Sequence, residues 1–250
     1  MLLMFAFTAY TIGTTTAGGS AIIFLLMLSW ILPITFIPIV IAFVGTFAGL
    51  YRTFSFRKNI YWPILKWLLP GTILGSAIGA SIFTALITKN GEHVLELVLA
   101  LLLMVCGCIG LASRRPAYNQ NNIWLFLPGG FILALISGII GGAPPIINSL
   151  YQRFNISPQQ IVGTKSINLL VLQLTKIIVY SFFISTHASK LLYGHSLYTL
   201  ILFSLVASIG ACFGITLGWH LLDKLNNNHF KYLINIMLIL FGCYFFYLWL

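Results

Sequence analysis

The stretch Ser137-Gly138-Ile139-Ile140-Gly141-Gly142-Ala143-Pro144-Pro145 lies in the middle of an apolar run that covers residues 123–151. Glycines followed by prolines favour the end of one helix and the start of another, because proline is tolerated near the first helical position. The run is also longer than the roughly 20 residues that a helix needs to cross a membrane. We therefore predict a helix that is broken in its middle, with a kinked but continuous helix as the alternative.

A second stretch of this kind, Gly13-Thr14-Thr15-Thr16-Ala17-Gly18-Gly19, lies in the middle of the first apolar run. Broken hydrophobic segments at corresponding positions of two halves are typical of transporter binding sites.

The chain has eight apolar runs separated by short polar segments, at 2–32, 34–51, 63–88, 92–112, 123–151, 158–186, 191–222 and 230–250.

Internal matches group the eight runs into two copies of four. Glycine turns, the prolines that open the second and sixth runs, glycine triplets and Cys-containing segments recur in the same order. The matched pieces are Ala17-Gly18-Gly19-Ser20 with Gly141-Gly142-Ala143, Pro33 with Pro158, Gly71-x3-Gly75-x3-Gly79 with Gly210-x3-Gly214-x3-Gly218, and Cys106-Gly107-Cys108 with Phe241-Gly242-Cys243. Glycines four apart let a second helix approach closely, so the triplets predict packing seams.

The composition excludes a soluble domain, because 60% of the 250 residues are hydrophobic and only 6% are charged. The net charge of +10 does not indicate nucleic-acid binding, since the Lys and Arg residues form no basic stripe. We predict an all-α polytopic membrane protein built from two inverted four-segment repeats. Each repeat has a broken or re-entrant helix pair followed by three transmembrane helices. The first repeat covers 1–112, a cytoplasmic linker loop covers 113–122, and the second repeat covers 123–250.

The distribution of basic residues favours re-entrant hairpins in the first and fifth runs. If every run crosses the membrane once, seven Lys and Arg residues of the loops lie on the cytoplasmic side and four lie outside. If the first and fifth runs are re-entrant hairpins, nine lie on the cytoplasmic side and two lie outside. Cytoplasmic loops carry the excess of positive charge in membrane proteins. We therefore expect the loops at 52–59, 113–122, 151–157 and 223–229 to face the cytoplasm.

Helices that begin inside the membrane would form an anion site. A helix N-terminus has unpaired backbone N–H groups and a positive dipole end, and two such ends converging would hold an oxyanion without a cofactor or a metal. We expect the helices to begin near Gly19-Ser20 and Gly142-Ala143. The candidate substrate-binding residues of the two turns are Thr15, Thr16, Gly18, Gly19, Ser20, Gly138, Gly141, Gly142 and Ala143. For each hydroxyl the alternative is a bond to its own helix backbone.

The sixth run contains Lys165 and Lys176 and no acidic residue. The two lysines are 11 positions apart, which places them on one helix face about 16 Å apart. Charged groups at such depth are functional candidates, with snorkelling of each lysine to a membrane surface as the alternative. We expect Lys165 and the nearby Asn168 to contribute to the anion site, and Lys176 to attract or pass the anion.

The ordered set of turns, Pro-led helices and glycine triplets resembles the TauE/SafE family of sulfite exporters. The best-matched pieces are Gly138-x2-Gly141-Gly142, Pro158-x4-Gly163-Thr164-Lys165-Ser166 and Asn168-x7-Lys176-x3-Tyr180. The resemblance implies a transporter of sulfite or organosulfonate anions, and it adds Thr164 and Ser166 to the candidate site. The first turn, Ala17-Gly18-Gly19-Ser20, has two glycines where the family usually has three. We therefore expect the second half of the chain to contribute more to the substrate specificity.

These observations favour a secondary transporter or facilitator for a small sulfur-containing anion. Export is favoured, because uptake of an anion against an inside-negative potential needs a coupled cation, and intramembrane carboxylates are almost absent. An anion channel and a non-transporting scaffold subunit are the alternatives. An enzyme is not expected, since the chain has no HExxH motif and no Asp inside a run. We expect a multi-pass protein of the bacterial inner membrane with lipid and a small anion as partners; a homo-oligomer is left open.

Overall fold

The fold is seen in a computed structural model that describes residues 1–15, 19–33, 35–112, 122–142, 148–151, 154, 156–191, 197–221, 236, 239–240 and 242–247. The described part of the chain is helical and contains no strand. Its helices are α1 Leu2–Thr15, α2 Ser20–Leu28, α3 Ile37–Ser55, α4 Trp62–Ala112, α5 Phe126–Ile140, α6 Asn148–Tyr151, α7 Pro158–Leu191 and α8 Leu197–Leu221.

Five described segments are long and apolar enough to cross a membrane: Ile37–Ser55, Trp62–Ile87, Ile123–Ile140, Gln159–Phe183 and Leu200–Leu221. Many large apolar side chains on these helices point outward, among them Ile178 at 70% and Phe182 at 69% exposure. Exposed apolar side chains in this number on membrane-length helices are suited to lipid. The prediction of an all-α fold is confirmed for the described residues.

Both predicted helix breaks are present, and the continuous-helix alternative is wrong. The first run ends one helix at Thr15 and begins the next at Ser20, with Gly19 at φ 89° between them. The fifth run ends α5 at Ile140, followed by Gly141 at φ 95°. A positive φ is readily adopted only by glycine, so these two residues fix where each helix stops or starts.

At the second break, Gly141 caps the C-terminal end of α5, and the next described helix is α6 at Asn148–Tyr151. The predicted start of a helix near Gly142-Ala143 stays a prediction, because it falls at the edge of the described residues. Residues 143–147 lie outside the described part of the chain. Gly142 itself contacts the backbone of Ala21 and Ile22 in the first turn of α2, so the two breaks do lie side by side.

The glycine triplets form the predicted seams. Gly71, Gly75 and Gly79 of α4 lie against the carbonyl oxygens of Leu127, Phe131 and Leu135 of α5. In the same way, Gly210, Gly214 and Gly218 of α8 lie against the carbonyl oxygens of Leu3, Phe7 and Thr11 of α1. Both pairs run parallel, because residue numbers rise together along the contact. Helix α4 therefore packs on α5, and α8 packs on α1.

Helices α3 and α7 cross in opposite directions. Gly45 of α3 contacts Gln173, whereas Gly49, one turn later, contacts Leu170, which comes earlier in α7. These two helices correspond to the Pro-led second and sixth runs. The helices of the two Pro-led runs are thus antiparallel to each other.

Helix α4 carries both the third and the fourth apolar runs, which the sequence analysis had separated at Lys89–Gly91. Helical structure continues through this segment, since one glycine among polar residues costs a helix only about 1 kcal/mol.

A straight α4 would place Ala112 about 62 Å from Gly71. Leu127 contacts Gly71, and the chain from Ala112 to Leu127 covers at most about 45 Å, because its last residues are helical. Helix α4 is therefore bent.

Arg52 corrects the boundary of the first polar loop. Arg52 is predicted in the cytoplasmic loop at 52–59, but it belongs to the last turns of α3 and is only 6% exposed. The reason is that α3 continues to Ser55, which turns Arg52 inward to face α1 rather than leaving it at the surface.

Candidate functional site

A cavity lies where the first turn of α2 meets α3 and α7. The space open to the centre of a water molecule is about 40 Å³, which is room for about three waters or one compact anion. Its walls include Gly19 and Ser20 of the first break, Arg52 of α3, and Lys165 and Asn168 of α7. Among the described residues that line the cavity, two side chains are cationic and none is acidic.

Arg52 is held in place by the end of α1. Its Nη2 atom donates a hydrogen bond of 2.7 Å to the Thr14 hydroxyl, which in turn donates to the Tyr10 carbonyl. The guanidinium carbon lies 5.9 Å from the centre of the Tyr10 ring, within cation–π range. The buried Nε atom finds no hydrogen-bond acceptor among the described residues. The guanidinium thus keeps a donor available in a buried setting.

Lys165 of α7 lines the same cavity. It is 8% exposed, and its Nζ atom lies 6.0 Å from the centre of the Tyr151 ring. The nearby Gln173 also lines the cavity, and its buried Oε1 atom accepts no hydrogen bond from the described part of the chain. Burial of two cations is costly unless something compensates their charge. The cavity is therefore electrostatically suited to an anion.

The N-terminus of α2 adds to this positive character. Ser20 and Ala21 line the cavity, and they occupy the first turn of the helix, where backbone N–H groups have no partner within the helix. The carbonyl of Gly19 accepts the first helical bonds, from the N–H groups of Ile22 and Ile23. The positive end of the α2 dipole thus points toward the two cationic side chains.

The structure brings some of the predicted residues together and leaves others apart. Gly19, Ser20, Lys165, Ser166 and Asn168 line the cavity. Thr16, Gly18 and Ala143 lie outside the described residues. The predicted residues that are described but do not line the cavity are Thr15, Gly138, Gly141, Gly142, Thr164 and Lys176.

Several of the predicted polar side chains are engaged within the protein. The Thr15 and Ser166 hydroxyls donate to carbonyls of their own helices, Ile12 and Val162. The Thr164 hydroxyl accepts the backbone N–H of Tyr61 at 2.9 Å. Asn168 Oδ1 accepts the Thr72 hydroxyl at 2.6 Å. For Thr15 the backbone-bonded alternative therefore describes the structure, and the Ser166 hydroxyl is bonded in the same way.

Lys176 is fully buried but lies away from the cavity lining. Its Nζ atom donates to the carbonyl oxygens of Gly141 at 2.8 Å and Ser137 at 3.3 Å. One turn later, the Tyr180 hydroxyl donates to the Gly138 carbonyl at 3.2 Å. Snorkelling is thus wrong for both lysines, because each is buried inside the protein.

Sequence reasoning missed Arg52, although a signal was available. Arg52 follows the opening Pro33 by 19 residues, and Lys176 follows the equivalent Pro158 by 18. In the structure Arg52 of α3 lies beside the end of α1, and Lys176 of α7 lies beside the end of α5. The repeat, applied to the lysine of the second half, would have pointed to the arginine of the first.

Comparison with known families gives one match that covers nearly the whole chain. The model of the family described as sulfite exporter TauE/SafE matches residues 2–245. The comparison with curated proteins and the comparison with solved structures find no significant match.

Proposed function

The chain belongs to the TauE/SafE family of sulfite exporters, and from this membership we propose that it exports a small sulfur-containing anion across the bacterial inner membrane. The family and the apolar helices make it a multi-pass membrane protein. The proposed substrate is sulfite or an organosulfonate. The observation that carries the proposal is the cavity in which Arg52, Lys165 and the N-terminus of α2 meet without an acidic residue.

The anion would be bound by charge and by backbone. Arg52 has a fork of donors suited to an oxyanion, and Lys165 supplies a second positive charge. The first N–H groups of α2 supply donors that Gly19 leaves open to a ligand. Because the cavity volume is close to that of a few waters, a compact anion such as sulfite fits better than a sulfonate with a long organic chain.

The inverted arrangement of the two halves is part of the proposal. If every apolar run crossed the membrane once, the second and sixth runs would point the same way. If the first and fifth runs are re-entrant hairpins, those two runs point in opposite ways. The antiparallel crossing of α3 and α7 supports the hairpins. It also supports two inverted repeats with the anion between them.

Anion flux into proteoliposomes containing the purified protein tests the function. We expect saturable flux of sulfite that exceeds the flux of sulfate, a larger sulfonate and a carboxylate. Lys165→Gln should raise the half-saturation concentration roughly tenfold or more, because a hydrogen bond to a charged group contributes about 1.5–3 kcal/mol. Lys66→Gln, which removes an exposed lysine from α4, is the matched control and should leave the kinetics unchanged.

Other outcomes would select the alternatives. Unitary currents that do not saturate would identify an anion channel. Absence of flux for every anion, with correctly inserted protein, would leave the scaffold subunit. Equal kinetics of Lys165→Gln and the original protein would remove the cavity from the proposal.

A further inference from the structure

The C-terminal end of α5 lies inside the protein, where its carbonyl groups need partners. Ser137, Gly138, Ile139, Ile140 and Gly141 are all buried. The last carbonyls of a helix have no partner within it, and together they form the negative end of the helix dipole. Gly141 ends the helix with its own N–H bonded to Ser137, which leaves further acceptor capacity on these oxygens.

Two side chains of α7 cover this end. Lys176 Nζ lies 2.8 Å from the Gly141 oxygen and 3.3 Å from the Ser137 oxygen. Tyr180, one turn further along α7, donates to the Gly138 oxygen between them in sequence. The ammonium group therefore donates to two carbonyl oxygens, with the Gly141 oxygen at a distance normal for a charged donor and the Ser137 oxygen further away.

A cation between the carbonyls of an interrupted helix is a familiar arrangement in secondary transporters, where the cation is usually a dissolved Na⁺ or a proton that is coupled to transport. Here we propose that the Lys176 ammonium is a tethered cation that occupies such a position permanently. It holds the end of α5 in place, so that this break requires no ion from solution. The inference builds on the proposed function, because it explains how the chain exports an anion without a coupling cation at this position.

The contacts argue against a direct role of Lys176 on the anion. Its Nζ atom faces carbonyl oxygens, whose partial negative charge would repel an anion at the same place. It is fully buried and absent from the cavity lining, unlike Lys165 eleven positions earlier on the same helix. Lys176 is thus a positioning residue, and its effect on the anion passes through α5 and the adjacent Gly142.

The test is chemical rescue of purified protein in detergent, with the melting temperature Tm as the readout. Lys176→Ala removes the cation and leaves an empty space the size of the lost side chain. We expect its Tm to fall and to rise again with methylammonium in proportion to the logarithm of its concentration, as ligand binding to the folded state requires. Tetramethylammonium, which has no N–H donor and is too large for the space, should not restore it.

Two further variants separate a cation site from simple packing. Lys176→Met fills the space without charge, so its Tm should fall and methylammonium should not restore it. Lys66→Ala, at an exposed position of α4, should show neither the fall nor the rescue. The proposal is overturned if Lys176→Ala keeps the original Tm, or if methylammonium raises the Tm of Lys176→Met and Lys66→Ala as much.

A second measurement uses the unaltered protein and does not depend on any variant folding. Sulfite flux in proteoliposomes should be unchanged when Na⁺ on both sides is replaced by K⁺ or by choline. Flux that requires Na⁺ would overturn the tethered-cation proposal while leaving anion transport intact. If the protein shows no flux at all, the proposed function fails, but the Tm rescue still decides the role of Lys176.

Discussion

Arg52 combines three features rarely found together: it is nearly fully buried, it lines a cavity, and one of its donors is unpaired among the described residues. We expect Arg52→Gln to raise the half-saturation concentration for sulfite roughly tenfold or more, since a hydrogen bond from a charged group contributes about 1.5–3 kcal/mol. Arg52→Lys should lower the half-saturation concentration part of the way back, because lysine restores the charge but not the planar set of N–H donors that bonds Thr14.

Flux kinetics at several sulfite concentrations measure both effects. Arg57→Gln is a suitable control, because Arg57 is exposed and contacts the Phe54 ring at 4.7 Å on the surface. Unchanged kinetics of Arg52→Gln would mean that this arginine only secures the end of α1. In that case a lower Tm without a change in half-saturation would be observed.

At the scale of elements, the two glycine seams allow a comparison within one protein. A Cβ atom at Gly75 would collide with the Phe131 carbonyl of α5, and one at Gly214 with the Phe7 carbonyl of α1. Because these neighbours are backbone, the helices must separate. We expect Gly75→Ala and Gly214→Ala each to destabilise the protein by about 1–3 kcal/mol. Gly129→Ala meets only the end of the Leu150 side chain at 3.2 Å and should cost little.

Thermal or denaturant unfolding in detergent, with identical protein concentration, measures the three variants. A large loss of unfolding free energy for one seam variant and none for the other would show that the two seams are not equivalent. Equal small losses in all three would mean that the helices can move apart at no cost.

At the scale of the whole molecule, the prediction concerns sidedness. Removing Arg52 from the loops leaves eight Lys and Arg residues on the cytoplasmic side and two outside, so the bias remains. In a variant with its four cysteines replaced by alanine, Ser157→Cys should react with a membrane-impermeant thiol reagent only from the cytoplasm. Tyr198→Cys should react only from outside. Single crossings of every run predict the reverse for both positions, and Lys58→Cys should be cytoplasmic in either arrangement.

The helix breaks and the glycine seams of this architecture were predictable from sequence. Gly19 and Gly141 indicate the breaks, because few other residues adopt a positive φ. The glycine triplets indicate the seams, because glycines four residues apart lie on one helix face. The continuity of α4 through Lys89–Gly91 was not predictable, since polar residues near a membrane surface suit a helix as well as a loop. The roles of Arg52 and Lys176 depend on which helix lies opposite, and no local pattern contains that information.

The exchange of partners between the halves has a consequence for how the chain is made. Helix α1 leaves the ribosome before α8, because Gly210, Gly214 and Gly218, which cover its carbonyls, are synthesised about 200 residues later. At 5–20 residues per second this delay is roughly 10 to 40 s. Throughout that interval α1 has no α8 to pack against, so that face of α1 is covered by lipid or by the insertion machinery. Helix α1 is therefore translated well before the packing around it is complete.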